Sequence, residues 1–126
     1  MAISISNPAI RECGVSVAGA TLYELAEPLT VVMQVGMGEI RITVPAGFVT
    51  DLATVPRVLW PFIAPSGPHQ RAAIVHDYLY QCVGDVSRFL ADAIFRDLMA
   101  HLDVPVWRRV AAYYAVRAFG GRHWTA

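Results

Sequence analysis

One histidine, two aspartates and the spacing between them are the residues here that could do chemistry. His76 and Asp77 are adjacent, Asp92 follows His76 by sixteen residues, and Gly84 stands midway between them. If the flanking stretches are antiparallel helices joined at Gly84, a rise of about 1.5 Å per residue puts His76 and Asp92 each about 12 Å from the turn. They then sit at one height on facing helices, whose axes pack about 8–10 Å apart, a gap that an imidazole and a carboxylate bridge. Asp92 would accept a hydrogen bond from one ring nitrogen, fix the tautomer and leave the other nitrogen as a base. Asp77 lies about 100° further round the helix, where its carboxylate can meet a hard cation or a backbone partner. The purely structural counterpart is a buried histidine satisfied by a nearby carboxylate, with Asp77 in water.

The elements that must position these residues can be read from periodicity. In the second half, Ala72, Ala73, His76 and Tyr80 recur at three and four residues, one face of a helix that starts near His69 after the Ser66-Gly67-Pro68 signal. Ser87 can cap a second helix, Arg88–His101, with Ala91, Ile94, Phe95, Leu98 and Met99 as its apolar stripe. Val104-Pro105 opens a third over residues 107–119, which Gly120-Gly121 ends. A short apolar helical stretch is expected over residues 56–63. The first half reads as strands: Thr21–Leu25, Leu29–Val35 and residues 39–44, the last two joined by Gly36-Met37-Gly38 as a β-hairpin. After Pro45-Ala46-Gly47, Phe48-Val49-Thr50 resumes a strand. The expectation is an α+β fold, a small antiparallel sheet followed by three helices with the central two as a hairpin. With 126 residues there is enough chain for one core and too little for two, so residues 1–126 are expected to form a single domain.

The segment Ala72-Ala73-Ile74-Val75-His76-Asp77-Tyr78-Leu79-Tyr80, with Ala91-Asp92-Ala93-Ile94-Phe95, resembles the phospholipase A2 signature. There a helix bearing H-D-x-x-Y is followed by an antiparallel helix bearing D-x-x-F; the capsid-borne phospholipases of small viruses are especially similar. The resemblance implies that His76 activates water for attack on an ester carbonyl, that Asp77 holds Ca²⁺, and that Asp92 orients His76. Tyr80 and Phe95 match that family's structural aromatics. The family's glycine-rich calcium loop has no good copy here: Ser66-Gly67-Pro68 is close but short, and Pro45-Ala46-Gly47 lies further away. A second resemblance runs over about residues 40 to 124. Residues 44–57, then the His76-Asp77 helix, Ala91-Asp92 and the closing stretch from Gly120 to Trp124, are similar to a family of short phage and prophage proteins, domain-of-unknown-function family 1353. It implies a phage origin and leaves the activity open.

Two further residues could reach the same site. Asp51 could join a metal site with His76 or Asp77, or instead cap the turn toward Val55-Pro56 or pair with Arg57. His69 precedes His76 by two helical turns and, with Asp51, would complete a zinc set, placed after calcium because no H-E-x-x-H spacing supports it. Two cysteines, Cys13 and Cys82, are too few for a thiolate zinc site and are expected as buried free thiols.

Composition bounds the partners. Hydrophobic residues make up 56 % of the chain, above the usual range, so much of it must be buried or meet a partner. No apolar run reaches the roughly 18–20 residues of a membrane span, and the first residues lack the pattern of a signal peptide. The expected site of synthesis is the host cytoplasm, with incorporation into the virion open. Every basic residue is an arginine, and after Asp103 there are four arginines and no acid. That stretch faces an anionic surface or pairs with acids elsewhere in the fold. Its aromatics, Trp107, Tyr113, Tyr114, Phe119 and Trp124, are expected mostly in the core, with a membrane lipid interface or a phage virion or tail protein as partners for any that are not. A net charge of zero argues against nucleic acid. Two functions follow: a metal-assisted hydrolase of a host-envelope ester or amide, or a non-catalytic virion, tail or assembly protein.

Overall fold

Alternation decides the strand half. Leu29, Val31 and Met33 point one way along a strand and are buried, as are Ile42 and Val44 on the strand beside it. In a computed structural model of the chain, residues 2–17, 19, 21–51, 69–82 and 86–124 are described, apart from the side chains of Cys82, Arg122 and His123. The chain divides into two compact units, Met1–Asp51 and Leu52–Ala126.

The first unit holds six strands: β1 (Ile3–Ile5), β2 (Ile10–Val15), β3 (Thr21–Leu25), β4 (Leu29–Val35), β5 (Gly38–Val44) and β6 (Val49–Thr50). They form two three-stranded antiparallel sheets, in the orders β1-β4-β5 and β2-β3-β6. The β4–β5 hairpin is the one read from the sequence, its register running from Leu29 opposite Val44 to Val35 opposite Gly38. Gly36 takes φ +60° in its turn, a conformation glycine adopts without a Cβ clash. Pro45 and Gly47 (φ +85°) make the next turn, closed by the Phe48 amide on the Pro45 carbonyl at 3.2 Å, before β6 pairs with β3. β1 and β2 were not foreseen. Cys13, expected to be buried, is exposed on β2, because five of that strand's six residues face water.

The second unit is helical among its described residues: α1 (Gln70–Cys82), α2 (Arg88–His101) and α3 (Val106–Phe119), followed by a short 3-10 helix, Gly120–His123. Strands followed by three helices make an α+β fold, as the periodicities indicate. Ser87 caps α2 as expected, its hydroxyl accepting from the Leu90 amide at 3.1 Å. Asp103, at φ +60°, turns the chain out of α2, and the Val104 amide closes that end on the Met99 carbonyl at 3.0 Å. The α2 stripe is buried as read, with Asp92 among its apolar members. α1 is buried well beyond one face: Ile74, Val75, Asp77 and Leu79 are covered along with Ala72, Ala73, His76 and Tyr80. The expected stretch over residues 56–63, the Ser66-Gly67-Pro68 start and the turn at Gly84 lie outside the described residues.

The aromatics of the third helix correct an expectation. Trp107, Tyr114 and Phe119 are exposed, because α3 buries only the narrow stripe Ala112, Ala115 and Val116 and its bulky residues point outward. Among the described residues, no helix is long and apolar enough to cross a membrane.

Candidate functional site

α1 and α2 bring His76 and Asp92 into contact. His76 Nε2 lies 2.6 Å from Asp92 Oδ1, and both side chains are fully buried. The Tyr80 hydroxyl, one turn along α1, donates to the same oxygen at 2.5 Å. From α3, Arg117 donates through a terminal nitrogen to Asp92 Oδ2 at 2.7 Å. Asp92 is thus a carboxylate with three donors from three side chains, the arrangement that makes burial of its charge tolerable. The imidazole packs against Tyr80 (centroids 4.3 Å apart) and Phe95 (4.6 Å), which hold its plane. Tyr80 and Phe95 therefore support the histidine, Tyr80 through its hydroxyl as well as its ring.

A second arginine closes the arrangement. Arg88, the first residue of α2, donates through Nε to the Tyr80 hydroxyl at 3.2 Å. Its terminal nitrogen donates to the carbonyls of Val116 and Arg117 at 2.7 and 2.9 Å, satisfying acceptors left over at the end of α3. Trp124 meets Tyr80 edge-on at 5.2 Å. Gly120 is pressed so closely to Tyr80 that a Cβ there would stand 2.9 Å from the hydroxyl.

Electrostatics follow from these contacts. Burial holds the His76 pKa below its ordinary value and outweighs the hydrogen bond and charge of Asp92, which pull it up; Arg88 adds to the lowering. For Asp92, burial alone would raise the pKa, but hydrogen bonds from His76, Tyr80 and Arg117 keep it below the usual carboxylate value. Tyr80 is pushed up, first by burial and then by the bond to Asp92. The resulting state at neutral pH is a neutral imidazole beside an ionised carboxylate, with Nε2–H donating to Asp92. With Nε2–H committed to Asp92, a proton taken up by the ring goes to Nδ1.

The other candidates fall elsewhere. Asp77 is buried rather than in water, and one of its oxygens accepts from Gln81 at 3.0 Å, one turn ahead on α1. His69 is buried just before α1. Asp51 closes the strand unit, half-buried after β6. Its alternative partner Arg57 lies outside the described residues. Among the described residues, no three of His, Cys, Asp and Glu come together as a metal-binding group.

Sequence reading missed Arg88 and Arg117. A signal existed for each: Arg88 is four residues before Asp92 and so shares its face of α2, and Arg117 belongs to the acid-free stretch whose alternatives included pairing with a distant acid.

A family model described as a protein of unknown function, DUF1353, matches residues 23–116. The chain belongs to the DUF1353 family. No curated protein and no solved structure matches it. The DUF1353 match takes in His76, Tyr80, Arg88 and Asp92 and stops one residue short of Arg117; β1 and β2 also lie outside it.

Proposed function

We propose that this DUF1353 protein is a phage-encoded hydrolase in which His76 activates water against an ester or amide of the host envelope, lipid esters before peptidoglycan. The observation that carries the reading is the 2.6 Å contact between His76 Nε2 and the Asp92 carboxylate, on the two helices whose H-D-x-x-Y and D-x-x-F residues resemble phospholipase A2. The phage origin is supported by the order of motifs from residue 44 to Trp124.

Asp92 holds the imidazole with Nε2 protonated, and Nδ1 takes a proton from water as its oxygen attacks the carbonyl carbon. The tetrahedral intermediate collapses when the same proton passes from Nδ1 to the leaving oxygen or nitrogen. Neutral His76 is the form this step requires, and burial favours it. A positioned base of this kind is worth about 10²- to 10⁴-fold in rate.

The reading includes a divalent cation, calcium before zinc, which would polarise the carbonyl when bound. Asp77 would hold it, sharing or giving up its bond to Gln81. The described residues supply one carboxylate of the roughly six to eight oxygens calcium takes, so they do not make the site by themselves. Titrating calcium and zinc into wild-type protein and Asp77→Asn, followed by thermal unfolding and binding heat, tests this part. Stabilisation by calcium that is lost in Asp77→Asn is the expected result; no response to either ion removes the cation from the mechanism.

A second reading has an observation of its own. His76 and Asp92 are both at 0 % exposure, which suits a buried polar network in a non-catalytic virion, tail or assembly protein. For the hydrolase, the groups covering His76 must move to admit substrate. Ester cleavage that depends on His76 separates the two.

A further inference from the structure

We propose that the outer face of α3, continued by the start of α2, docks this protein onto an anionic lipid surface. Val106, Val110 and Tyr114 follow one another at intervals of four residues, so they form one ridge, and each is between 45 % and 65 % exposed. Trp107 borders that ridge and is also exposed. Beside the C-terminal half of α3, Phe89 of α2 is 63 % exposed, with the Arg117 guanidinium over its ring, 5.3 Å from the centroid. Arg108 lies over Trp107 and Arg96 over Tyr113, each at 5.1 Å. Three arginines therefore sit on aromatic rings along one helix pair.

Aliphatic side chains and amphipathic rings suit the boundary between acyl chains and headgroups, and a guanidinium suits a lipid phosphate, which it can bind through two parallel hydrogen bonds. Charge selects the occupant. α3 itself carries Arg108, Arg109 and Arg117 and no acid; Arg117 is paired with Asp92 and Arg96 of α2 with Asp97, which leaves Arg108 and Arg109 as the excess. An anionic bilayer complements that excess. A second copy packed through a two-fold axis would set the same arginines against each other. Arg117 is partly exposed on this face and reaches inward to Asp92, so the docking surface and the buried network share a residue.

The proposal rests on the hydrolase reading only for the choice of an envelope lipid, and its test is kept apart from catalysis by ether-linked lipids that no esterase cleaves. Wild-type protein and the double variant Val110→Ser/Tyr114→Ser are sedimented with vesicles of ether-linked phosphatidylglycerol or phosphatidylcholine. The wild type should partition onto phosphatidylglycerol, more weakly onto phosphatidylcholine and more weakly at high salt. The double variant, with two apolar contacts removed, should partition at least about tenfold less. Trp107 supplies a second measure that needs no apolar deletion: its emission should shift to the blue on binding, a change missing in Trp107→Phe. Wild-type protein that stays off phosphatidylglycerol overturns the proposal, as does undiminished binding by the double variant. A wild-type dimer in solution that the double variant converts to monomer overturns it in favour of a self-association face.

Discussion

At the scale of residues, Asp92 is the group on which the site depends, since His76, Tyr80 and Arg117 all donate to it. Replacing it with asparagine keeps the shape and removes the charge. One amide group cannot accept from all three donors as the carboxylate does, and Arg117 loses its counter-ion. Asp92→Asn is expected to lower stability by about 2–3 kcal/mol in urea unfolding, less than for a wholly buried pair because Arg117 keeps contact with water. Both lowered pKa values make stability fall with pH. In the window between folded and unfolded values, the unfolded chain binds more protons, so acidification favours unfolding. The His76 contribution is complete above its ordinary value of 6.5 and is lost as pH falls from there toward the folded value. The Asp92 contribution is complete above 3.8 and is lost as pH falls through its lower folded value. Unfolding free energies measured against pH should therefore begin to drop near 6.5 and again below about 4, with the first step missing in His76→Gln.

At the scale of elements, the C-terminal end of α3 is a third wall of a site that the sequence showed with only two. Gly120 tests that wall, because its φ of −69° suits any residue and removes backbone strain from the comparison. Glycine to alanine at such a position ordinarily stabilises by about 0.4–1 kcal/mol. Here the added Cβ meets the hydroxyl of Tyr80, which cannot swing away without breaking its bonds to Asp92 and Arg88. Gly120→Ala is expected to reverse the usual sign and cost about 1–3 kcal/mol by thermal or urea unfolding. The α1–α2 pairing could be read beforehand because helical periodicity, the Ser87 cap and equal distances from Gly84 are local signals. The Arg117–Asp92 pair spans 25 residues and two helices, and a surface arginine looks the same in sequence as one that turns inward. β2 was missed for another physical reason. Period-two alternation arises where one face is buried, and Ile10–Val15 is mostly in water, with a break in register between Glu12 and Gly14.

At the scale of the whole molecule, the two units differ in charge as well as in structure. Residues 1–51 hold two arginines and five acids, whereas residues 52–126 hold eight arginines and five aspartates. The acid-free end of the chain was open to two readings, an anionic surface or pairing with distant acids; Arg117 takes the second with a buried acid, while Trp107, Val110 and Tyr114 are exposed. His76, Tyr80, Arg88, Asp92 and Arg117 all belong to the helical unit.

The most direct measurement is fatty-acid release from phosphatidylglycerol vesicles, with calcium and with chelator, by wild-type protein, Asp92→Asn and His76→Gln. Each protein is first shown to be folded by its melting transition. The account predicts turnover by the wild type, loss of at least about a hundredfold in His76→Gln, and a substantial loss in Asp92→Asn, whose histidine is no longer held in one tautomer. Release that persists undiminished in His76→Gln, or no release by the folded wild type under either condition, would contradict it and leave the buried network as a structural feature of a non-catalytic phage protein.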